Sequence, residues 1–322
     1  MRILDPFYYY RRVRRTEQAI IKDYNKQSNN THGLFTLYNW WNDRLSLWFV
    51  KRYSHLLEEK GRQINLCSLF GKKGVIEHVE GIKVFFSGEN VHHSPYDEYS
   101  DYLLRDSSIN LSLGFDFFED DRYLRFPLWL LYMFNPTSTR EDIVARCKEL
   151  RYPQVSEKRR FCSLVAYHDV NGLRGQMVRE LSTVEQVSCA GKFLHNDTSL
   201  KERFGDNKIE YLKEFYFNIC PENSNSFGYV TEKVFEAISA GCIPIYWGSF
   251  NYPEPHILNR DAIIFWEKGG NNQNVIKRIH NFYASPNEME EMIRTPRLTN
   301  DADDIIWGMM EALDMAVAKL LV

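Results

Sequence analysis

Residues 216–248 constrain the fold more than any other part of this 322-residue chain; they read YFNICPENSNSFGYVTEKVFEAISAGCIPIYWG. Phe217 and Ile219, and later Ile243, Ile245, Tyr246 and Trp247, are short apolar, β-prone runs of the kind that form buried parallel strands. Between them Val234, Phe235, Ala237 and Ile238 share one face at helical spacing. Thr231 stands in an N-cap position, and Gly241 falls where a helix end takes a left-handed residue. The pattern predicts one βαβ unit. In such a unit the strand-to-helix loop lies at the carboxyl edge of the sheet, where helix N-terminal amides favour anions.

The loop is polar at Asn223, Ser224, Asn225 and Ser226, can turn at Gly228, and carries an amphipathic ring at Tyr229. Glu232 and Lys233 then occupy the first helical turn. A lysine there can meet phosphate oxygens as a point charge. A glutamate beside it cannot serve phosphate, but it can accept hydrogen bonds from a sugar diol. Phosphate plus diol suggests a nucleotide sugar; an ordinary capped helix with a solvated Glu-Lys pair carries the same charges.

The rest of the chain repeats the theme. Residues 35–38, 64–69 and 82–86 read as strands, with an amphipathic helix over 48–60, and residues 122–132 fit helix or strand equally. After the charged stretch 151–160 comes a strand over 161–167, a loop over 168–173 and a helix whose apolar face is Met177, Val178, Leu181 and Val184. Arg174 stands in its first turn, so Arg174 and Lys233 could converge on one diphosphate from neighbouring loops; a local salt bridge is the plainer use of such an arginine. Residues 262–266 then read as a strand, and 274–282 and 304–321 as helices. Alternation of this kind makes an α/β fold, and the length suits two domains, 1–155 and 156–322.

ENSNSFGYVTEK followed by AGCIPIYWG resembles the donor-binding signature of the α1,3-fucosyltransferase family. Upstream blocks agree and keep the family's order: Asn39-Trp40-Trp41, then Phe85-Phe86-Ser87-Gly88-Glu89-Asn90, then Gly114-Phe115-Asp116 with residues 121–127, DRYLRFP. The resemblance implies two Rossmann-like domains facing a cleft (the GT-B arrangement), the C-terminal one holding GDP-fucose and the N-terminal one receiving an oligosaccharide or polysaccharide acceptor. It implies an inverting transfer of L-fucose to the 3-hydroxyl of N-acetylglucosamine in a lactosamine-type glycan. A same-fold transferase for another nucleotide sugar, or a non-catalytic nucleotide- or glycan-binding module, are the competing readings.

Such a transfer needs one general base and a stabilised leaving group. By the resemblance Glu89 is the base, with Asp116 in reserve. Arg174 and Lys233 neutralise the diphosphate, Glu232 binds the ribose, and Asn223 and Tyr229 contact fucose or its phosphate. The cluster Glu119, Asp120, Asp121, Arg122 reads as structural or acceptor-facing. Cys220-Pro221 stands where the family usually has a Phe, and the acceptor-side residues 91–112 match weakly.

Other chemistries find little support. Net charge is −3, which gives no electrostatic argument for nucleic acid as a partner. Among the nine histidines there is no metal-ligand spacing, and there is no P-loop or G-x-S-x-G motif. His92 and His93, close after Glu89, could line the acceptor side, an exposed loop being the plainer reading. The one D-x-D spacing, Asp301-Ala302-Asp303, precedes a helix and suits capping better than metal binding. No obligatory metal is expected, Mn²⁺ or Mg²⁺ being at most a non-essential stimulant. Six scattered cysteines read as reduced, mostly buried thiols. The first 18 residues hold no long apolar run, which leads to the expectation of a cytoplasmic enzyme. Arg11, Arg12, Arg14 and Arg15 offer peripheral contact with the inner face of a bacterial membrane as an alternative to plain solvation.

Overall fold

Apolar runs too short for helices pair side by side in two parallel sheets, seen in a computed structural model that describes residues 6–41, 43–153 and 160–322. The first sheet is built from β1 (Thr31–His32), β2 (Phe35–Tyr38), β3 (Ile64–Cys67), β4 (Lys83–Phe86), β5 (Leu111–Gly114) and β6 (Tyr123–Arg125). These lie in chain order, antiparallel only between β1 and β2. The second contains β7 (Arg160–Leu164), β8 (Val187–Cys189), β9 (Phe215–Pro221), β10 (Ile243–Trp247) and β11 (Ile264–Phe265). Its order is β11-β10-β9-β7-β8 and every pair is parallel. All residues of β4, β5 and β10 are buried, and β10 accordingly reads as a continuous apolar run rather than an alternating one.

The chain divides into two compact units. The first comprises Met1–Leu131, Asn135–Thr137 and Met309–Val322; the second comprises Tyr132–Phe134 and Ser138–Gly308. In the first, Phe85 stacks on Tyr99 with ring centroids 6.0 Å apart and meets Tyr102 edge-on at 5.3 Å. Around them pack Cys67, Val75, Ile76 and Leu103. In the second, Phe217, Ile219, Ile243 and Ile245 lie in one cluster with Met177 and Leu181 and with Ile279, Met289 and Met292. Each large apolar side chain so buried contributes about 1.5–3 kcal/mol.

Several element ends differ from the sequence expectation. The strand expected over 161–167 stops at Leu164, because the chain turns into the loop that carries Asp169. Residues 262–266 give only the two-residue β11, since Asn259 caps a 3₁₀ turn over Arg260–Ala262. The ambiguous stretch 122–132 is both things in turn, β6 and then a helix over Trp129–Met133. The helix expected over 48–60 begins earlier, at Asp43. Of the basic N-terminal cluster, the side chains of Arg11 and Arg12 lie outside the described residues, as does 154–159 in the expected domain boundary. All six cysteines are free and buried, and burial pushes the Cys67 thiol up to about 12. No described helix is long and apolar enough to cross a membrane.

Candidate functional site

In the second sheet the chain leaves β7 toward β8 on one side, while β9, β10 and β11 continue on the other. The strand order therefore reverses between β7 and β9, and ligands of doubly wound sheets collect at the carboxyl ends flanking such a switch. The loop after β7 leads to Arg174, in the first turn of the helix Leu173–Leu181; the loop after β9 begins with Glu222 and Asn223. Arg174 joins the two loops. Its Nη2 donates to Asn223 Oδ1 at 2.9 Å and its Nη1 to the carbonyl of His168. Asn171 Nδ2 adds a bond to the Asn223 carbonyl at 3.2 Å.

The guanidinium thus bridges loops rather than closing the local salt bridge that the sequence left open. It is 9% exposed, and burial pulls it below its ordinary value against the charges of Asp169 and Glu222. The amides at this helix start are less free than the pattern implied. Asp169 accepts from Arg174 N at 3.2 Å and from Gly175 N at 2.9 Å, so a carboxylate of the chain itself fills the position expected for a phosphate.

The main motif is organised by Glu222, a residue to which the sequence reading gave no role. Its side chain is fully buried. Oε1 accepts from Thr231 N at 2.8 Å, and Oε2 accepts from Thr231 Oγ1 at 2.7 Å and from Lys233 Nζ at 3.2 Å. Thr231 occupies the N-cap of the helix Glu232–Ser239, but its hydroxyl donates to Glu222 instead of capping. Burial pushes the Glu222 carboxyl up from its ordinary value, with Lys233 and Thr231 pulling against it. Gly248, at φ 147°, leaves room for this carboxylate: a Cβ there would come within 2.6 Å of Glu222 Cγ. The one signal available beforehand was an acidic residue directly after a mostly apolar strand.

Lys233 and Glu232 are both partly exposed, with Nζ 3.8 Å from Glu232 Oε1. Burial pushes the Glu232 carboxyl up, but Lys233, Lys208, its own backbone amide and the Thr231 hydroxyl outweigh it and hold the group below its ordinary value. Tyr229 is buried, at 1% exposure, rather than displayed in the loop.

In the first unit the carboxyl ends of the adjacent strands β4 and β5 carry Glu89 and Asp116. Glu89 is partly exposed, one residue after Gly88, where a Cβ would approach Trp41 Cη2 to 2.8 Å. Asp116 is 8% exposed and already engaged: His92 Nε2 lies 2.8 Å from its Oδ1. His92 is an exposed residue of a turn, as expected, but its ring is held by this bond. The same hydrogen bond raises the His92 imidazole above its ordinary value, against burial. Arg122 is structural, donating to the carbonyls of Leu104 and Asp106, and Asp120 Oδ1 accepts from its amide at 2.8 Å. Asp301-Ala302-Asp303 opens the helix Ala302–Leu320. Among the described residues no group of three His, Cys, Asp or Glu is arranged to hold a metal ion.

Comparison with known proteins agrees with this layout. The model described as Alpha-(1,3)-fucosyltransferase FucT N-terminal domain matches residues 34–132, and that of Glycosyltransferase family 10 (fucosyltransferase) C-term matches 155–293. Alpha-(1,3)-fucosyltransferase FucT of Helicobacter pylori is 28% identical over 254 residues, 66% of this chain and 49% of that protein, so the chain spans about half its length. GDP-fucose protein O-fucosyltransferase 3 of Bos taurus is 29% identical over 100 residues, 29% of this chain and 21% of that protein. Among solved structures, an α1,3-fucosyltransferase superposes with a TM-score of 0.58 at 19% identity, over 87% of this chain and 89% of the other. Its complex with GDP-fucose gives 0.57 at 22% over the same shares, a likeness of fold.

Proposed function

The chain belongs to glycosyltransferase family 10, the fucosyltransferases, and we propose that it transfers L-fucose from GDP-fucose to the 3-hydroxyl of N-acetylglucosamine in a lactosamine-type glycan, with inversion at the anomeric carbon. The observation that carries the donor half is the meeting of Arg174 and Asn223 across the switch point, with Lys233 held by Glu222, the residue directly before Asn223. Cations from two loops at the carboxyl edge of a parallel sheet suit a diphosphate. The resemblance to a protein solved with GDP-fucose supports that choice of donor.

In this reading Glu89 accepts the proton of the acceptor hydroxyl as its oxygen bonds to the anomeric carbon. The bond from that carbon to the diphosphate breaks, and the electron pair leaves on the phosphate oxygen. Arg174 and Lys233 neutralise this developing charge, a stabilisation that is often the largest catalytic effect. Glu232, held ionised, accepts from the ribose hydroxyls. A single displacement needs one carboxylate base and no covalent intermediate. With two cations on the leaving group, the reaction proceeds without an obligatory metal.

The test is GDP release from GDP-fucose, with and without N-acetyllactosamine, in EDTA and again with Mn²⁺. Acceptor-dependent release in EDTA is the expected result. Folded protein that binds GDP but releases none with this acceptor would move the assignment to another acceptor. Failure to bind GDP at all would remove the donor assignment.

A further inference from the structure

The first unit contains a cavity of about 400 Å³ that the donor chemistry does not use. Its wall includes His92, Asp97 and Ser100 as hydrogen-bonding groups, and Leu103, Leu104 and Phe118 as apolar ones. That mixture suits a sugar ring, which presents hydroxyls at its rim and C–H groups on its faces. The volume sits at the small end of the roughly 300–1,000 Å³ typical of ligand sites, enough for one or two rings.

The cavity is joined to the proposed base through the chain. His92 lies three residues beyond Glu89, and its amide is fixed by Asn90 Oδ1 at 3.0 Å. The ring is fixed as well, by Asp116 Oδ1 at 2.8 Å from Nε2 and by an edge-on contact with Phe115 at 5.7 Å. With Nε2 committed to the carboxylate, the neutral ring has Nδ1 as an acceptor for a hydroxyl. A second observation points to a polar ligand at this end of the sheet. Asp116 Oδ2 and Ser87 Oγ are buried without a hydrogen-bond partner, on the loops after the paired strands β5 and β4. Neither residue lines the cavity itself, but buried polar atoms almost always have partners, and orphans at the sheet edge that holds His92 suit a ligand with hydroxyls.

We propose that this cavity is the subsite for the sugar ring next to the reacting one in the acceptor, and that His92, oriented by Asp116, accepts a hydrogen bond from one of its hydroxyls. The inference rests on the transferase reading and deepens it: the enzyme selects an acceptor of two or more rings, and His92 is a specificity-determining residue that this chain carries in its weakly matching acceptor segment.

The experiment compares N-acetylglucosamine, one ring, with N-acetyllactosamine, two rings, as acceptors for the wild type, His92→Phe and Leu104→Trp. The first variant keeps the ring shape and removes the acceptor nitrogen; the second fills the cavity. GDP affinity, measured by calorimetry, checks that each protein is folded and its donor side intact. The wild type is expected to favour the two-ring acceptor at least tenfold in kcat/KM. Both variants should raise KM for the two-ring acceptor about tenfold and leave the one-ring value within twofold. A merely structural role would move both acceptors together, and that outcome overturns the proposal, as does a wild type that does not discriminate between them. If the wild type binds GDP but transfers to neither sugar, saturation-transfer NMR with N-acetyllactosamine decides. Signal in the wild type that Leu104→Trp abolishes upholds the subsite, and no signal in the wild type overturns it. Failure of GDP binding in the wild type, by contrast, bears on the donor reading alone, and the same NMR comparison still decides the cavity.

Discussion

Lys233 Nζ stands 3.2 Å from the buried Oε2 of Glu222, so the cation assigned to the donor phosphate is aimed by a carboxylate at the end of the preceding strand. Glu222 also receives the amide and hydroxyl of Thr231, which makes it the common anchor of strand end and helix start.

Replacing Glu222 by Ala should therefore do double damage. It leaves Thr231 N and Lys233 Nζ without their acceptor in a buried place, a loss of about 2–4 kcal/mol. Glu222→Gln keeps the shape and part of the hydrogen bonding but removes the charge opposite Lys233, which keeps its bond to Thr231 Oγ1 at 2.7 Å. It should unfold within a few degrees of the wild type while KM for GDP-fucose rises several-fold. Thermal unfolding and donor kinetics on both variants separate the two effects; equal KM in Glu222→Gln and wild type would show that Lys233 needs no anchor.

Arg174→Lys tests the loop bridge. Arginine reaches Asn223 Oδ1 and the His168 carbonyl together with its planar fork, and one ammonium cannot reproduce that geometry. GDP affinity is expected to fall about tenfold by calorimetry, with Lys233→Ala giving a loss of similar size. A variant that binds GDP as the wild type does would take Arg174 out of the phosphate site.

Glu89→Ala addresses the chemical step. Loss of a general base typically costs 10²–10⁴ in turnover. Turnover with a saturating acceptor should drop by about that factor while GDP binds within twofold of the wild type. Collapse of GDP binding would instead mean that the residue holds the structure or the donor.

The His92–Asp116 pair predicts a dependence on pH. The folded imidazole is raised above its ordinary value by the Asp116 hydrogen bond. Its contribution to stability is fully present below the unfolded value of about 6.5 and disappears as pH rises through the higher folded value. Partial exposure limits the effect to about 1 kcal/mol or less. The stability advantage of the wild type over His92→Phe, measured by urea unfolding, should shrink steadily from pH 5.5 to pH 8.5.

A last prediction concerns stability in the first unit. Arg52 donates through Nε and Nη2 to both oxygens of Asp314, at 2.7 and 2.6 Å, and Tyr53 Oη adds a bond at 2.8 Å. Asp314→Ala leaves the mostly buried guanidinium with the Pro136 carbonyl and the rings of Trp48 and Tyr53. A loss of about 2–3 kcal/mol is expected, visible as a fall in Tm of several degrees.

Much of this protein was legible before any coordinates. Residues 216–248 announced their strand, helix and strand through apolar spacing and through Gly241, which does end its helix at φ 73°. Such signals lie within a few residues of one another, and local sterics and burial enforce them without reference to the rest of the chain. Element ends such as those of β7 and β11 were less clear, because a loop or a 3₁₀ turn can take residues from an equally apolar strand.

What the sequence by itself determined, then, is the succession of α/β units and the set of residues that carry charge at their loop starts. What only the tertiary structure decided is how those charges are paired. Arg174 meets Asn223 across 49 residues, His92 meets Asp116 across 24, and Lys233 meets Glu222 across 11. Each pairing follows from which strands lie side by side, and that order is set by burial of the whole sheet, a property no local spacing records.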